Sequence, residues 1–183
     1  MPSLTYSVQK GWSNMEDLPG NFLLVPPGAS LEGVNPGTSD FIGVYPAVAA
    51  PAGCEERPDP SVETNVAAYL DWLQRQESML VSEPRPIQLG GMSGTEVDVS
   101  LSDGPVCSDP NIADEYALVI IGVGRSSLTH GVVPGYPLRL DLFDMADGEM
   151  MAIELADAPN GGSDFDDWWA AAADVTNTFR FGS

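Results

Sequence analysis

The stretch Gly91-Met92-Ser93-Gly94 holds a serine between glycines, a setting in which hydrolases place a nucleophile. A nucleophile elbow needs Gly-x-Ser-x-Gly at a sharp turn from a strand into a helix. Here Thr95 takes the place of the last glycine, and the alternation that follows predicts a strand. We therefore interpret the glycines as a bend or bulge between two strands, where a positive φ or a close backbone approach is needed.

Any triad built on Ser93 would have to use His130, the single histidine of the chain. This histidine stands in "SSLTHGVVPG", a stretch that is typical of a loop. A serine-dependent hydrolase using Ser93 and His130 is therefore the alternative hypothesis. Because no catalytic constellation is intact, we predict that the protein is not an enzyme.

Two other patterns fall short of a cofactor or metal site. "GVGRSS" follows an apolar run as a dinucleotide-binding turn does, but Pro134 and Pro137 exclude the helix that such a site requires. Acidic clusters around Asp147 and Asp164 offer the oxygen ligands that calcium takes, without EF-hand spacing. Turn chemistry and a helix N-terminus account for them. We predict no cofactor and no metal, and a cation-dependent structural module is a third hypothesis.

The charge balance excludes two classes of partner. The formal net charge is −20, from 27 acidic and 7 basic residues, so nucleic acid and anionic lipid surfaces would repel the chain. No run of about 18 apolar residues is present, which predicts no direct insertion into a membrane. The first residues lack the basic and apolar regions of an export signal. We expect that a signal or anchor has been removed, with a cytosolic origin as the alternative.

Cys54 and Cys107 both stand in stretches rich in Pro, Gly and Asp, where buried structural thiols are not expected. Such a pair predicts a disulfide, a bond that persists outside the cytosol. Two unrelated free thiols are the alternative. Two cysteines and one histidine are too few for a closed zinc site.

Two kinds of hydrophobic pattern place these residues on elements. Short apolar runs between turn residues predict strands at 4–9, 21–27, 40–50, 96–101, 115–121, 138–143 and 150–155. Helical spacing predicts helices at 59–76, with Asp59 or Ser61 as N-cap, and at 163–176, preceded by Ser163. Asp147-Gly148 predicts a β-hairpin. The element order predicts one α+β domain over residues 1–183, a mainly antiparallel sheet with both helices packed on one face.

The sheet face opposite the helices is the expected place for a ligand. The polar residues assigned to that face are Glu96, Asp98, Arg139, Asp141 and Glu154. A loop at 124–136 that folded over its edge would add further polar side chains. The candidate ligand-binding residues are therefore Arg125, His130, Tyr136, Arg139, Asp98 and Asp141. Together they predict a polar groove for a cationic or hydroxyl-rich partner, and an ordinary solvated face is the alternative.

The order of motifs along nearly the whole chain resembles a known group of domains. The clearest matches are Gly11-Trp12, Asp71-Trp72-Leu73, Gly90-Gly91 through Gly94, and Phe179-Arg180-Phe181. They resemble the extracytoplasmic domains of lipoproteins and membrane-tethered proteins in actinobacteria and related phyla and, more distantly, the PsbP/Mog1 fold of LpqN-type lipoproteins. The resemblance implies an antiparallel sheet flanked by helices and a location outside the cytoplasmic membrane, and it carries over no active-site residue.

These observations together predict an exported, non-enzymatic binding or accessory module at the cell surface. Its partner would be an unknown cell-envelope component or a small molecule. We expect the protein to act as a monomer or a weak dimer.

Overall fold

A computed structural model describes residues 3–28, 40–108, 115–157 and 165–182. Its strands are β1 (Ser3–Thr5), β2 (Ser13–Leu18), β3 (Asn21–Val25), β4 (Phe41–Ala49), β5 (Pro51–Ala52), β6 (Glu55–Pro58), β7 (Met79–Val81), β8 (Arg85–Leu89), β9 (Met92–Leu101), β10 (Ala117–Gly122), β11 (Thr129–Val132), β12 (Leu138–Asp144), β13 (Met150–Ala156) and β14 (Arg180–Gly182). Its helices are α1 (Val66–Leu73) and α2 (Phe165–Thr176).

One large antiparallel sheet organises the molecule. Its strand order is β11-β10-β4-β13-β12-β9-β7, with β8 beside β9 and the β2–β3 hairpin beside β4. β1 pairs with β14, and β5 pairs with β6. Hairpins connect β2 to β3, β5 to β6, β8 to β9, β10 to β11 and β12 to β13, but the pairings of β4 with β10 and β13, and of β9 with β12 and β7, join strands that are not consecutive in the chain. The expected meander is therefore only partly present, whereas the expected class, α+β with a mainly antiparallel sheet and two helices, is confirmed.

The prediction that both helices pack on one face of the sheet is wrong, because α1 and α2 cover opposite faces. Leu138, Leu140 and Leu142 pack in one core cluster with α1, whereas Phe143 packs in a second cluster with Trp168 of α2. Neighbouring residues of a strand point to opposite faces, so β12 buries a side chain on both. The central strands are sandwiched between two helices, which explains why they are apolar on both sides.

The helix boundaries also differ from those expected. α1 begins at Val66, not at residue 59, and Asn65 caps it by accepting a hydrogen bond from the Ala68 backbone N–H at 2.8 Å. Asp59 instead forms a local turn in which its Oδ1 accepts from the Ser61 backbone N–H at 2.9 Å. Both residues have side chains suited to capping, and the tertiary contacts select the later one. The expected Ser163 position lies outside the described residues.

Cys54 and Cys107 form a disulfide with a Cα–Cα distance of 5.5 Å, so the predicted pairing is confirmed. Cys54 lies in the turn between β5 and β6. Cys107 forms an antiparallel bridge with Tyr116, just before β10. The bond therefore ties a peripheral hairpin to the large sheet. Within the described ranges, no helix is long and apolar enough to cross a membrane.

The glycines around Ser93 form a hairpin turn and a close contact, as the sequence predicts. Gly90 and Gly91 have φ angles of +59° and +91° and connect β8 to β9. At Gly94, a Cβ atom would come within 2.5 Å of the Phe143 ring and 2.6 Å of the Leu142 carbonyl oxygen. Only a residue without a side chain lets β12 pack this closely there.

Gly94→Ala is therefore expected to lower the free energy of unfolding by about 1–3 kcal/mol, because the added methyl group overpacks a backbone contact. Urea denaturation would measure the change. Ser93→Ala is the matched control, since Ser93 is exposed on the same strand and its truncation should change stability by about 0.5 kcal/mol or less. Equal stability of the two variants would show that β12 can move away from β9.

Candidate functional site

The six candidate ligand-binding residues fall into three separate places. Asp98, Arg139 and Asp141 lie together on the face of β9 and β12 that α2 partly covers. His130 and Tyr136 contribute to the other side of the sheet, and Arg125 lies near the β12–β13 turn. The six residues therefore do not form the single groove that the sequence predicts, since only Asp98, Arg139 and Asp141 lie together.

The first group belongs to a network that we call the charged face, made of Arg85, Glu96, Asp98, Arg139 and Asp141. The Nε atom of Arg139 lies 2.6 Å from Asp98 Oδ1, and its Nη2 lies 3.1 Å from Oδ2. Arg85 contacts Glu96 and Asp98, in both cases at 2.9 Å. Two guanidinium groups thus share one aspartate, an arrangement that fixes the geometry of all three side chains.

Strand register explains why these residues meet. Arg139 pairs with Asp98 and Asp141 with Glu96 across β12 and β9, and directly opposed residues share a face. Arg85 was missing from the candidates. The two-residue turn at Gly90-Gly91 sets the β8–β9 register and places Arg85 opposite Glu96. Counting outward from that turn would have found it in the sequence.

Helix α2 closes one side of the charged face. The guanidinium carbon of Arg139 lies 4.3 Å from the centroid of the Trp169 ring, a cation–π distance. Arg139 therefore packs over the Trp169 ring and also donates a hydrogen bond to Asp98. Arg85, farther from α2, has a side chain that is 47% exposed. The charged face therefore runs from a covered end at α2 to an open end at the sheet edge.

The pKa values of the two aspartates of the charged face are shifted in opposite directions. Partial burial favours the neutral form of Asp98, but hydrogen bonds from Arg139 and Arg85 outweigh it and hold the pKa of Asp98 below its ordinary value. Asp141 is only 6% exposed, and burial, followed by the nearby charge of Glu96, raises its pKa to about 7. Its Oδ1 atom has no hydrogen-bond partner among the described residues. Asp141 thus changes charge near neutral pH.

An open depression of about 330 Å³ adjoins the charged face at the β7 edge. Its lining includes Leu80, Ser82, Asp98, Ser100 and Pro137. Leu80 pairs with Ser100, on the same face as Asp98, and its side chain is 62% exposed. Arg139 and Asp98 therefore share a face of the sheet, and a concavity adjoins it. The polar groove as a ligand site stays a prediction.

The assignment of Glu154 to this face is wrong. Glu154 pairs with Leu140, so it points to the α1 side of the sheet, where it is 1% exposed. Its Oε2 atom accepts a hydrogen bond from the Tyr45 hydroxyl at 2.6 Å and lies 2.8 Å from His130 Nδ1. A side chain at Gly43 would collide with the Tyr45 hydroxyl, which explains the glycine there.

Tyr136 lies near the same buried group. Burial raises its pKa, and the charges of Glu154, Asp40 and Asp157 raise it further. His130, expected in a loop, lies instead on strand β11 and pairs with Ile120. Pairing with β10 keeps this segment extended, although its sequence is rich in residues that favour turns. This second group lies on the α1 side of the sheet and is largely buried, whereas the charged face is partly open.

Ser93 and His130 are held in different settings. Ser93 lies on β9 in a hairpin, not at a strand-to-helix turn, and its Oγ accepts a hydrogen bond from Gln88 Nε2 at 2.6 Å. His130 lies on β11 with Glu154 and Tyr45 as neighbours. The structure therefore does not assemble the pair that the hydrolase hypothesis needs.

Arg125 forms ion pairs at a distance from the charged face. Its Nη2 lies 2.6 Å from Glu149 and 3.8 Å from Asp147, both at the β12–β13 turn. Asp147 thus accepts a hydrogen bond within the turn, from the Glu149 backbone N–H, and also pairs with Arg125. Over the described ranges, no group of three or more His, Cys, Asp or Glu residues is arranged to hold a metal ion.

No protein-family model matches the chain, and neither does any curated protein. Among solved structures, the solution structure of cyanobacterial PsbP (CyanoP) from Synechocystis sp. PCC 6803 aligns with 98% of this chain and 92% of that chain. The identity is 11% and the TM-score is 0.35. A similarity of this size says nothing about what the present chain binds. Membership of an actinobacterial lipoprotein group stays a prediction.

Proposed function

We propose that this protein is an exported, non-enzymatic binding module that holds its partner on the charged face and the adjoining depression. The observation that carries the proposal is the geometry of Asp98, which is fixed between Arg139 and Arg85 and is still 30% exposed. Charged groups that are already held in place lose little entropy when a partner binds. Such a surface is suited to recognition.

A contribution to folding stability does not by itself explain why these ion pairs are present. Exposed ion pairs contribute about 0–1 kcal/mol each, because solvent screens them and ordering the side chains costs entropy. The chain has few basic residues, 7 in total, and it places two of them against one aspartate. A role in binding accounts for both the concentration of charge and its partial exposure.

The disulfide supports the exported location, because cytosolic reductants keep most thiols reduced. In the proposed function the partner is a cell-envelope component or a small molecule, met by a monomer or weak dimer.

The proposal predicts that one class of soluble envelope component binds the wild-type protein and loses about tenfold or more in affinity with Asp98→Asn. The loss follows because a charge-assisted hydrogen bond contributes about 1.5–3 kcal/mol, and about 1.4 kcal/mol is tenfold. Isothermal titration calorimetry against oligosaccharides, polyamines, peptides and lipid headgroups would measure it.

Asp71→Asn is the matched control, because Asp71 is an exposed carboxylate on α1, across the sheet from the charged face. It should leave affinity unchanged, and thermal melting should show that both variants are folded. The proposal fails if no class binds, or if binding does not change in Asp98→Asn.

A further inference from the structure

The paired part of the charged face carries no net charge. Two guanidinium groups, those of Arg85 and Arg139, lie against two carboxylates, those of Glu96 and Asp98. Each arginine contacts both carboxylates, with Arg139 Nε 3.7 Å from Glu96 Oε2. Opposite charges at these separations cancel at short range, so a simple ion meets little local attraction. The surface instead presents donors and acceptors side by side.

Hydroxyl groups match such a surface better than ions do. A hydroxyl donates one hydrogen bond and accepts up to two, whereas an ammonium group only donates and a carboxylate only accepts. The carboxylate oxygens of Asp98 have lone pairs beyond those that the arginines use, and Arg85 is exposed enough to donate outward. Ser82 and Ser100 add hydroxyl groups in the adjoining depression.

The depression also offers apolar surface of the kind that a sugar ring contacts. Leu80 and Pro137 line it beside Asp98, and Leu80 is 62% exposed. A volume of about 330 Å³ is at the lower end of the size of small-molecule sites, about 300–1,000 Å³. Polar and apolar contacts therefore lie next to each other, as the alternating hydroxyl and C–H surfaces of a carbohydrate require.

We propose that the charged face and its depression bind a hydroxyl-rich ligand, a segment of neutral polysaccharide. This inference rests on the proposed function and names the class of partner. The hydroxyls exchange hydrogen bonds with Asp98, Glu96 and Arg85, and a ring face packs on Leu80.

The test compares maltotetraose, cellotetraose, mannotetraose and fully N-acetylated chitotetraose with spermidine and hexalysine, by calorimetric titration of the wild-type protein. We expect an oligosaccharide to bind with an affinity that added salt does not change, because the ligand is uncharged. Arg85→Gln should weaken this binding about tenfold, and Leu80→Ala should weaken it several-fold. Both side chains are exposed, so neither change threatens the fold.

Arg85→Gln also separates the two ligand classes by the sign of its effect. Removing a positive charge makes the surface more negative, so a cation would bind more tightly while a sugar binds less tightly. Arg57→Gln is the matched control, since Arg57 is an exposed, ion-paired arginine that lines a different depression, of about 460 Å³. It should leave oligosaccharide binding unchanged.

Each contrary outcome has its own meaning. Binding of spermidine or hexalysine alone, abolished by Asp98→Asn, would overturn the hydroxyl-rich class and leave the binding module standing. Oligosaccharide binding that responds to Arg57→Gln but not to Arg85→Gln would overturn the site. Failure of every probe, together with failure of the wider search among envelope components, would overturn both the inference and the proposed function.

Discussion

Replacing both Cys54 and Cys107 by alanine is expected to lower the free energy of unfolding by about 4 kcal/mol. The disulfide joins residues 53 positions apart, so the oxidised unfolded chain loses the entropy of a long loop. The bond also ties the β5–β6 hairpin, which forms a separate two-stranded sheet, to the bridge between Cys107 and Tyr116. Since domains of this kind are stable by about 5–15 kcal/mol, the loss is a large share of the total.

Urea denaturation of the wild-type protein and the double variant would measure this loss. The wild-type protein in the presence of a reductant is the control, because it removes the cross-link and keeps the cysteine side chains. We expect the reduced protein and the double variant to unfold at similar urea concentrations. An unchanged midpoint in both would mean that the loop is already constrained in the unfolded chain.

The wild-type protein is expected to lose stability as the pH rises, and Asp141→Asn should abolish this loss. Burial raises the pKa of Asp141 from 3.8 to about 7. Between these values the folded protein keeps a proton that the unfolded chain releases, so stability falls with rising pH across this window. Below pH 3.8 the contribution is fully present, and above about pH 7 it is lost.

The size of this effect follows from the shift. One pKa unit corresponds to about 1.4 kcal/mol, so the full difference between low and high pH is about 4 kcal/mol. Asparagine has nearly the same shape and cannot ionise. At pH 8 the variant should therefore be more stable than the wild-type protein, by up to about that amount, and at pH 4 the two should be similar.

Chemical denaturation at several pH values between 4 and 8 would measure the difference. Asp71→Asn is the control, because it removes a carboxylate that is exposed on α1. It should show the same pH dependence as the wild-type protein. If Asp141→Asn also kept that dependence, Asp141 would ionise in the folded protein as an exposed carboxylate does. The lowered pKa of Asp98 acts at more acidic pH and does not interfere with this measurement.

Local patterns of the sequence determined most of the elements. Alternation in β9, β12 and β13 predicted three strands that the structure contains, and Asp147-Gly148 predicted the hairpin turn, where Gly148 has a φ of +84°. The cysteine pair predicted the disulfide. These features depend on residues near in sequence or on a simple count, so a reader of the sequence alone can recover them.

The pairing of Asp98 with Arg139 was also within reach of the sequence. Each lies on the polar side of an alternating strand, so the alternation by itself predicts that both share one face, as the strand register confirms. Arg85 could have been added by counting from the Gly90-Gly91 turn. Two-residue turns fix strand register, so they carry information about partners several residues away.

Only the tertiary structure decided how the faces of the sheet are covered. Alternation states which residues of a strand share a face, but not which helix covers that face or whether both faces are covered. The β12–β13 register places Glu154 beside Leu140 and separates it from Arg139, and a shift of one residue would have reversed this. The burial of Asp141 on one face of the sheet, and of Glu154 on the other, follows from contacts between segments far apart in sequence, and the periodicity of a single strand holds no information about them.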